Sequence, residues 1–222
     1  MERPWPPSLP PLLARGPDWL VIDKPAGLAV HAGPRTRDCL EARLAAAGER
    51  ARPVHRLDRD TSGCLLLGAR PASVRRLQAA FAERRVQKLY WAVVAHPPRD
   101  DAGRVEAPLG KVSSREKGWR MVVDAAGKPA ATLWEVLARE GELALIAFRP
   151  ETGRTHQLRV HATLLAEGSH ILGDPVYGRA APGGLMLHAR GLAFPSANGR
   201  KEEVTAPLPE RFRALGFSDR VG

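Results

Sequence analysis

The chain has few of the residues that would staple it or anchor it. Two cysteines, Cys39 and Cys64, cannot build a disulfide framework and lack the spacing of a metal-binding pair. No stretch approaches the roughly 18 apolar residues needed to cross a bilayer. Met1 to Pro11 holds five prolines and no apolar h-region, so residues 1–12 read as an extended lead-in and not as a signal peptide. Phe, Trp and Tyr make up only 5% of the residues, which disfavours a sugar-binding cleft. The seven histidines (His31, His55, His96, His156, His161, His170 and His188) are scattered, with no HExxH or Cys-x-x-Cys, so no metal site is expected. The P-loop pattern G-x-x-x-x-G-K-[ST] is missing around Gly153-Arg154-Thr155, and no nucleotide cofactor is implied. Internal repeats are absent. What these absences leave is a reduced, cytoplasmic protein without cofactor, membrane contact or obvious oligomerisation signal, hence a monomer by default.

What is present is charge and a core. Lys and Arg number 34 against 24 Asp and Glu, a net charge of +10. Such a balance favours a polyanionic partner, because cations on phosphates release counterions, although arginine-rich composition can also reflect base usage alone. Hydrophobic residues make up 44% of 222, enough for one sizeable packed domain over residues 13–222.

Periodicity gives the elements. Trp19 to Asp23 reads as a strand stopped by the turn Lys24-Pro25-Ala26-Gly27. Residues 36–50 read as a helix carrying Leu40, Leu44 and Ala47 on one face, and 73–85 as a second with Val74, Leu77 and Phe81. Residues 64–69 read as a buried strand, 87–95 as a strand alternating Leu89, Trp91 and Val93 against Tyr90, Ala92 and Val94. Residues 99–128 are polar and basic, suggesting hairpins or loops. Strands are expected at 131–138 and 142–148 around Gly141, a helix at 155–167 ending at Gly168, and a strand at 185–194. Strands and helices mix without a regular βαβ beat, so the expected class is α+β, one domain with a mixed, largely antiparallel sheet flanked by helices and loops.

The densest polar cluster is His55-Arg56-Leu57-Asp58-Arg59-Asp60-Thr61-Ser62-Gly63, placed at the mouth of the buried strand. A loop there presents side chains from a rigid edge. Taken alone, Asp58 reads as a solvated turn or an Asx cap.

The cluster matches HRLDxxTSG, and here the chain resembles the RluA-type pseudouridine synthases. Lys24 to His31 is similar to the family's KPxGLxVH segment, Lys88-Leu89-Tyr90 to its K-x-Y element, Thr152 to His161 to TGRTHQ(I/L)RxH, and Gly173 to Gly178 to GDxxYG. Leu187-His188-Ala189 and Ala206-Pro207-Leu208-Pro209 resemble its closing segments. Several motifs in order from about residue 18 to 210 are more specific than any one of them. Pro195-Ser196-Ala197-Asn198 departs from a usual His-Pro pair. The early motif begins so near the N-terminus that a preceding S4-type RNA-binding domain is not expected.

The resemblance implies an RNA pseudouridine synthase acting on uridines of structured RNA, a ribosomal or transfer RNA stem-loop. Asp58 matches the catalytic aspartate, able to attack the sugar C1′ or to stabilise an oxocarbenium and abstract a sugar proton. Arg154 matches its basic partner, expected to hold the carboxylate ionised in an Asp58–Arg154 pair. Tyr90 matches the active-site tyrosine, which can stack on uracil and move a proton; as a strand residue it can equally be a core aromatic. Arg56 matches an arginine that enters the RNA stack when the target base flips out; its plain alternative is a solvated loop arginine. His55 is grouped with the RNA contacts, although it and Thr61, Ser62 and Gly63 suit loop shaping better. His156, Arg159 and His161 are assigned to RNA-backbone contact or to support of the site. The basic stretch with Lys111, Arg115, Lys117 and Arg120 is a candidate RNA grip, with Trp119 either stacking on a base or folded on the core.

Two other readings stand beside this one. Asp58 with Asp60 or Glu151 resembles a glycosidase pair, which the charge and scarce aromatics disfavour. A binding-only protein with a dead synthase fold would be free to lose Asp58, Tyr90 and Arg154, and all three are present.

Overall fold

The computed structural model describes residues 4–33, 36–114 and 118–219. In chain order the elements are β1 (Leu12–Arg15), β2 (Trp19–Lys24), α1 (Leu40–Ala46), β3 (Arg52–Pro53), β4 (Ser62–Gly68), α2 (Pro71–Ala82), β5 (Gln87–Ala95), β6 (Ala102–Glu106), β7 (Leu109–Ser114), β8 (Gly118–Val123), β9 (Ala131–Glu140), β10 (Leu143–Pro150), α3 (Gln157–Ala162), β11 (His170–Ile171), β12 (Leu187–Pro195), β13 (Lys201–Thr205) and α4 (Glu210–Arg213). The class is α+β with a largely antiparallel sheet, and an isolated parallel bridge joins Ala29 and Cys39. Contacts divide the chain into two compact units, residues 1–88 with 189–207, and 89–188 with 208–222. No helix among the described residues is long and apolar enough to cross a membrane.

In the first unit β4 is buried at every position, which is why its apolar run does not alternate. It pairs antiparallel with β2, from Trp19–Gly68 to Lys24–Gly63, and β2 pairs in turn with β1. α2 starts at Pro71, where a missing N–H costs nothing. Ser73 caps it, its Oγ accepting the Arg70 N–H at 3.0 Å and donating to the Arg70 carbonyl at 2.9 Å. Of its buried residues Ser73, Leu77 and Ala80, the last two pack with Val21, Leu66, Leu192 and Phe194. Trp19 meets Phe194 edge-on, with centroids 5.1 Å apart.

In the second unit β10 lies between β5 and β9, with Phe148 opposite Tyr90 on one side and Trp134 on the other. β9 pairs onward to β6. Ala92, Val94, Ile146 and Phe148 form its core with Leu158, Ala162, Ile171 and Phe212. β7 and β8 form a separate antiparallel hairpin in register from Leu109–Val123 to Ser114–Gly118.

Three expectations change in extent. The helices expected over 36–50 and 155–167 are Leu40–Ala46 and Gln157–Ala162. Cys39 is drawn into a bridge with Ala29 before the first, and Thr163 and Leu164 form tight i→i−3 turns after the second. The N-terminal lead-in is partly structured: Leu9 is buried, the Trp5 indole donates to the Pro10 carbonyl, and β1 opens at Leu12.

Candidate active site

Asp58 sits in a loop held from behind by a buried cation. Lys24 is fully buried, and its ammonium donates to the carbonyls of Pro25 (2.9 Å), Leu28 (2.7 Å) and Arg59 (3.0 Å). The Arg59 carbonyl also accepts the Gly27 N–H at 2.9 Å, and Arg59 Nε returns a bond to the Gly27 carbonyl at 3.0 Å. The loop and the Lys24–Gly27 turn therefore clamp each other through the Lys24 and Arg59 side chains and the backbone of Gly27 and Arg59. The Asp58 carbonyl accepts the Thr61 N–H at 3.1 Å, closing the turn. Asp58 is half-buried, while Arg56 is exposed.

The loop's far end is pinned by His55, Thr61, Ser62 and Gly63. Thr61 and Ser62 are buried. Gly63 has φ +106°, and a Cβ there would lie 2.3 Å from the Ala189 carbonyl oxygen, so only glycine fits. His55 Nε2 accepts the Leu66 N–H at 3.0 Å while its ring stacks on Phe81 at 4.4 Å. Burial, reinforced by the charge of Lys88, pushes its pKa down to about 3. A neutral imidazole locked to β4 and α2 is a strut of the loop; this geometry favours loop shaping over the RNA contact also expected of it.

In the second unit Arg154 lies in a turn built around Gln157. The Gln157 carboxamide oxygen accepts the Arg154 N–H (2.9 Å) and the Thr152 hydroxyl (2.7 Å). Its NH2 donates to the Ala131 carbonyl and to Thr132 Oγ1, both at 2.9 Å. Thr132 Oγ1 meets His161 Nδ1 at 2.9 Å, and His161 Nε2 lies 3.1 Å from the Ala107 carbonyl. That carbonyl can only accept, so Nε2 carries a proton. Burial holds the His161 pKa below the usual range. The Arg154 side chain is half-buried, and its Nε donates to the Pro129 carbonyl at 3.1 Å.

Arg159, expected as RNA contact or support, is buried. Its Nε and Nη2 each lie 2.7 Å from an oxygen of Asp174, itself fully buried. Burial alone would raise the Asp174 pKa. The Arg159 guanidinium and the N–H groups of Val176 and Tyr177 outweigh it, holding the carboxyl below the ordinary range. Arg159 thus serves support. Tyr90, half-buried on β5, packs against the unit's core. Lys111 is exposed, with Nζ 5.1 Å from the centroid of Trp119, and Arg120 is half-buried. Trp119 stacks on His156 at 5.0 Å, so it is committed to this turn although 47% exposed. Arg115 and Lys117 lie outside the described residues. Asp58 and Arg56 belong to the first unit, Tyr90 and Arg154 to the second. No group of three or more His, Cys, Asp or Glu is arranged for a metal among the described residues.

Sequence reasoning left Lys24, Gln157, Asp174 and Tyr177 without roles. Each stood inside a quoted motif, which was the available signal; the partner of each lies across a turn that periodicity does not encode.

Known proteins fit this arrangement. The RNA pseudouridylate synthase family model matches residues 18–164. An uncharacterised RNA pseudouridine synthase of Zymomonas mobilis is 47% identical over 205 residues, covering 89% of this chain and 93% of that protein. The ribosomal large subunit pseudouridine synthase C of Vibrio vulnificus is 37% identical over 215 residues, covering 91% and 67%. The chain spans 64% of a Synechocystis relative's length. Among solved structures, human RNA pseudouridylate synthase domain containing 1 superposes with a TM-score of 0.78 at 26% identity, covering 99% of this chain and all of that one. The chain belongs to the RNA pseudouridylate synthase family. It is an isomerase, an RNA pseudouridine synthase.

Proposed function

We propose that this enzyme converts specific uridines in a ribosomal or transfer RNA stem-loop to pseudouridine in the cytoplasm, with Asp58 as the catalytic carboxylate. The observation that carries this reading is the Asp58 loop: it bears the HRLDxxTSG pattern and is clamped by Lys24, Gly27 and His55 so that backbone freedom is already spent. Preorganisation of this kind is what a carboxylate acting at one sugar carbon requires.

The reaction breaks the N1–C1′ bond and forms C5–C1′. The C5 proton leaves and N1 gains one, so no redox partner or cofactor is needed. Asp58 acts either by attacking C1′ or by stabilising positive charge there and removing a sugar proton. Arg154 takes the role of the basic residue that the TGRTHQ motif implies. Tyr90 contacts the uracil and relays a proton. Base extrusion costs a few kcal/mol, offset by Arg56, whose planar guanidinium can occupy the vacated stack. Lys111 and Arg120, on the hairpin, add phosphate contacts, as would Arg115 and Lys117. Relatives named for the ribosomal large subunit favour ribosomal RNA as the first substrate to try.

The test is to treat total RNA from cells lacking the gene with wild type or Asp58→Ala and map pseudouridines by carbodiimide-dependent reverse-transcription stops. New stops with wild type alone support the reading. RNA binding without new stops favours a binding-only protein.

A further inference from the structure

The hydroxyl of Tyr177 stands where three segments of the second unit meet. It accepts the Met121 backbone N–H of β8 at 2.9 Å. It also bonds His156 Nδ1 at 2.9 Å. Its ring lies under the guanidinium of Arg159, 5.1 Å from the centroid, and its own N–H donates to Asp174 at 3.1 Å. His156 in turn stacks on Trp119, near the tip of the same hairpin, with rings 29° from parallel. Trp119 and Met121 are two residues apart on one strand, so both face the turn. His156 adopts φ +53°, a left-handed conformation uncommon outside glycine, two residues after Arg154. A strained residue of this kind persists only where its surroundings over-determine it. Here those surroundings are the hairpin and Tyr177.

We propose that Tyr177 is a positioning residue: through its hydroxyl and His156 it couples the β7–β8 hairpin to the turn that carries Arg154, so that an RNA gripped by the hairpin sets the guanidinium at the reacting nucleotide. This rests on the reading of Arg154 and of the hairpin given above. Gln157 holds the same turn from the buried side and needs no RNA to do so. Tyr177 holds it from the side of the hairpin, and that link is the one a bound substrate can load.

The variant Tyr177→Phe removes the hydroxyl and keeps the ring beside Arg159. Activity is first established on total RNA from cells lacking the gene, and kinetics then use a transcript of the region that is modified. Under single-turnover conditions at saturating enzyme, Tyr177→Phe should slow conversion by about tenfold, the scale of one lost hydrogen bond. The Kd for the transcript should stay within about twofold, and the Met121 amide should exchange faster with solvent. In a Trp119→Ala background the same substitution should cost markedly more, because the hairpin's other contact with His156 is already gone. Wild-type conversion rates in Tyr177→Phe, or equal costs in both backgrounds, overturn the coupling. A wild-type protein that modifies none of the RNA overturns instead the enzymatic reading beneath it.

Discussion

Replacing Arg159 separates its two expected roles cleanly. The guanidinium faces Asp174 through two bonds of 2.7 Å, with both residues buried, and Asp174 Oδ1 also accepts the N–H groups of Val176 and Tyr177. Arg159→Met leaves a buried carboxylate with its backbone donors but without its cation. Removing one partner of such a pair costs about 3–5 kcal/mol. For a chain of this size that lowers Tm by roughly 6–20 °C. Asp174→Leu alone should be as harmful, since it strands the guanidinium. The double variant Arg159→Met/Asp174→Leu should recover much of the loss, because a packed apolar pair carries no desolvation penalty. Urea denaturation of the four proteins, followed by tryptophan fluorescence, reads these differences as shifts in midpoint at constant slope. An arginine contacting an RNA phosphate behaves oppositely: Arg159→Met would keep its midpoint, and the slope of log affinity against log salt would fall by about one. A change in midpoint worth less than about 1 kcal/mol with that altered salt slope would refute the structural assignment.

Acidification tests His55. Its folded pKa, about 3, lies below the unfolded value near 6.5, so the unfolded chain binds the extra proton and stability falls as pH drops through that window. Wild type should lose about 2 kcal/mol more than His55→Gln between pH 7.5 and 5, measured by urea unfolding; parallel pH profiles would show that the ring is not held neutral. Gly63→Ala forces a Cβ to within 2.3 Å of the Ala189 carbonyl at φ +106° and should cost about 2–5 kcal/mol in the same assay. A cost under about 1 kcal/mol would mean the strand yields easily. Lys24→Met strips the donor from three carbonyls and should raise amide exchange at Gly27 and Thr61, with about 2–5 kcal/mol lost. Unchanged exchange there would remove Lys24 from the loop's support.

The strands were the most legible part of the chain. The alternation over 87–95 coincides with β5, and the pair around Gly141 is present as β9 and β10, extended by two residues each at their C-terminal ends. The polar segment 99–128 contains the expected hairpin. Short edge pieces escaped notice: β13, Lys-Glu-Glu-Val-Thr, carries too much charge to read as a strand and is defined by its pairing with β12. Helical periodicity overran α1 and α3 because the hydrophobic spacing continues after the backbone has been taken up by turns and a bridge. At the site, motifs located the Asp58 loop and the Arg154 turn but not their scaffolding. Nothing in the local sequence says that Lys24 is fully buried or that Arg159 points at Asp174; both follow from tertiary packing.

Asp58 is the centre of the account, and its charge can be removed with almost no change of shape. Wild type and Asp58→Asn would be given RNA carrying tritium at uridine C5, and tritium release would be followed alongside RNA affinity and Tm. Conversion to pseudouridine must expel that label, since C5 becomes the glycosidic carbon. Wild type should release the label and Asp58→Asn should release it at least about a thousandfold more slowly, with affinity and Tm unchanged. Release by Asp58→Asn at the wild-type rate would contradict the catalytic role of Asp58.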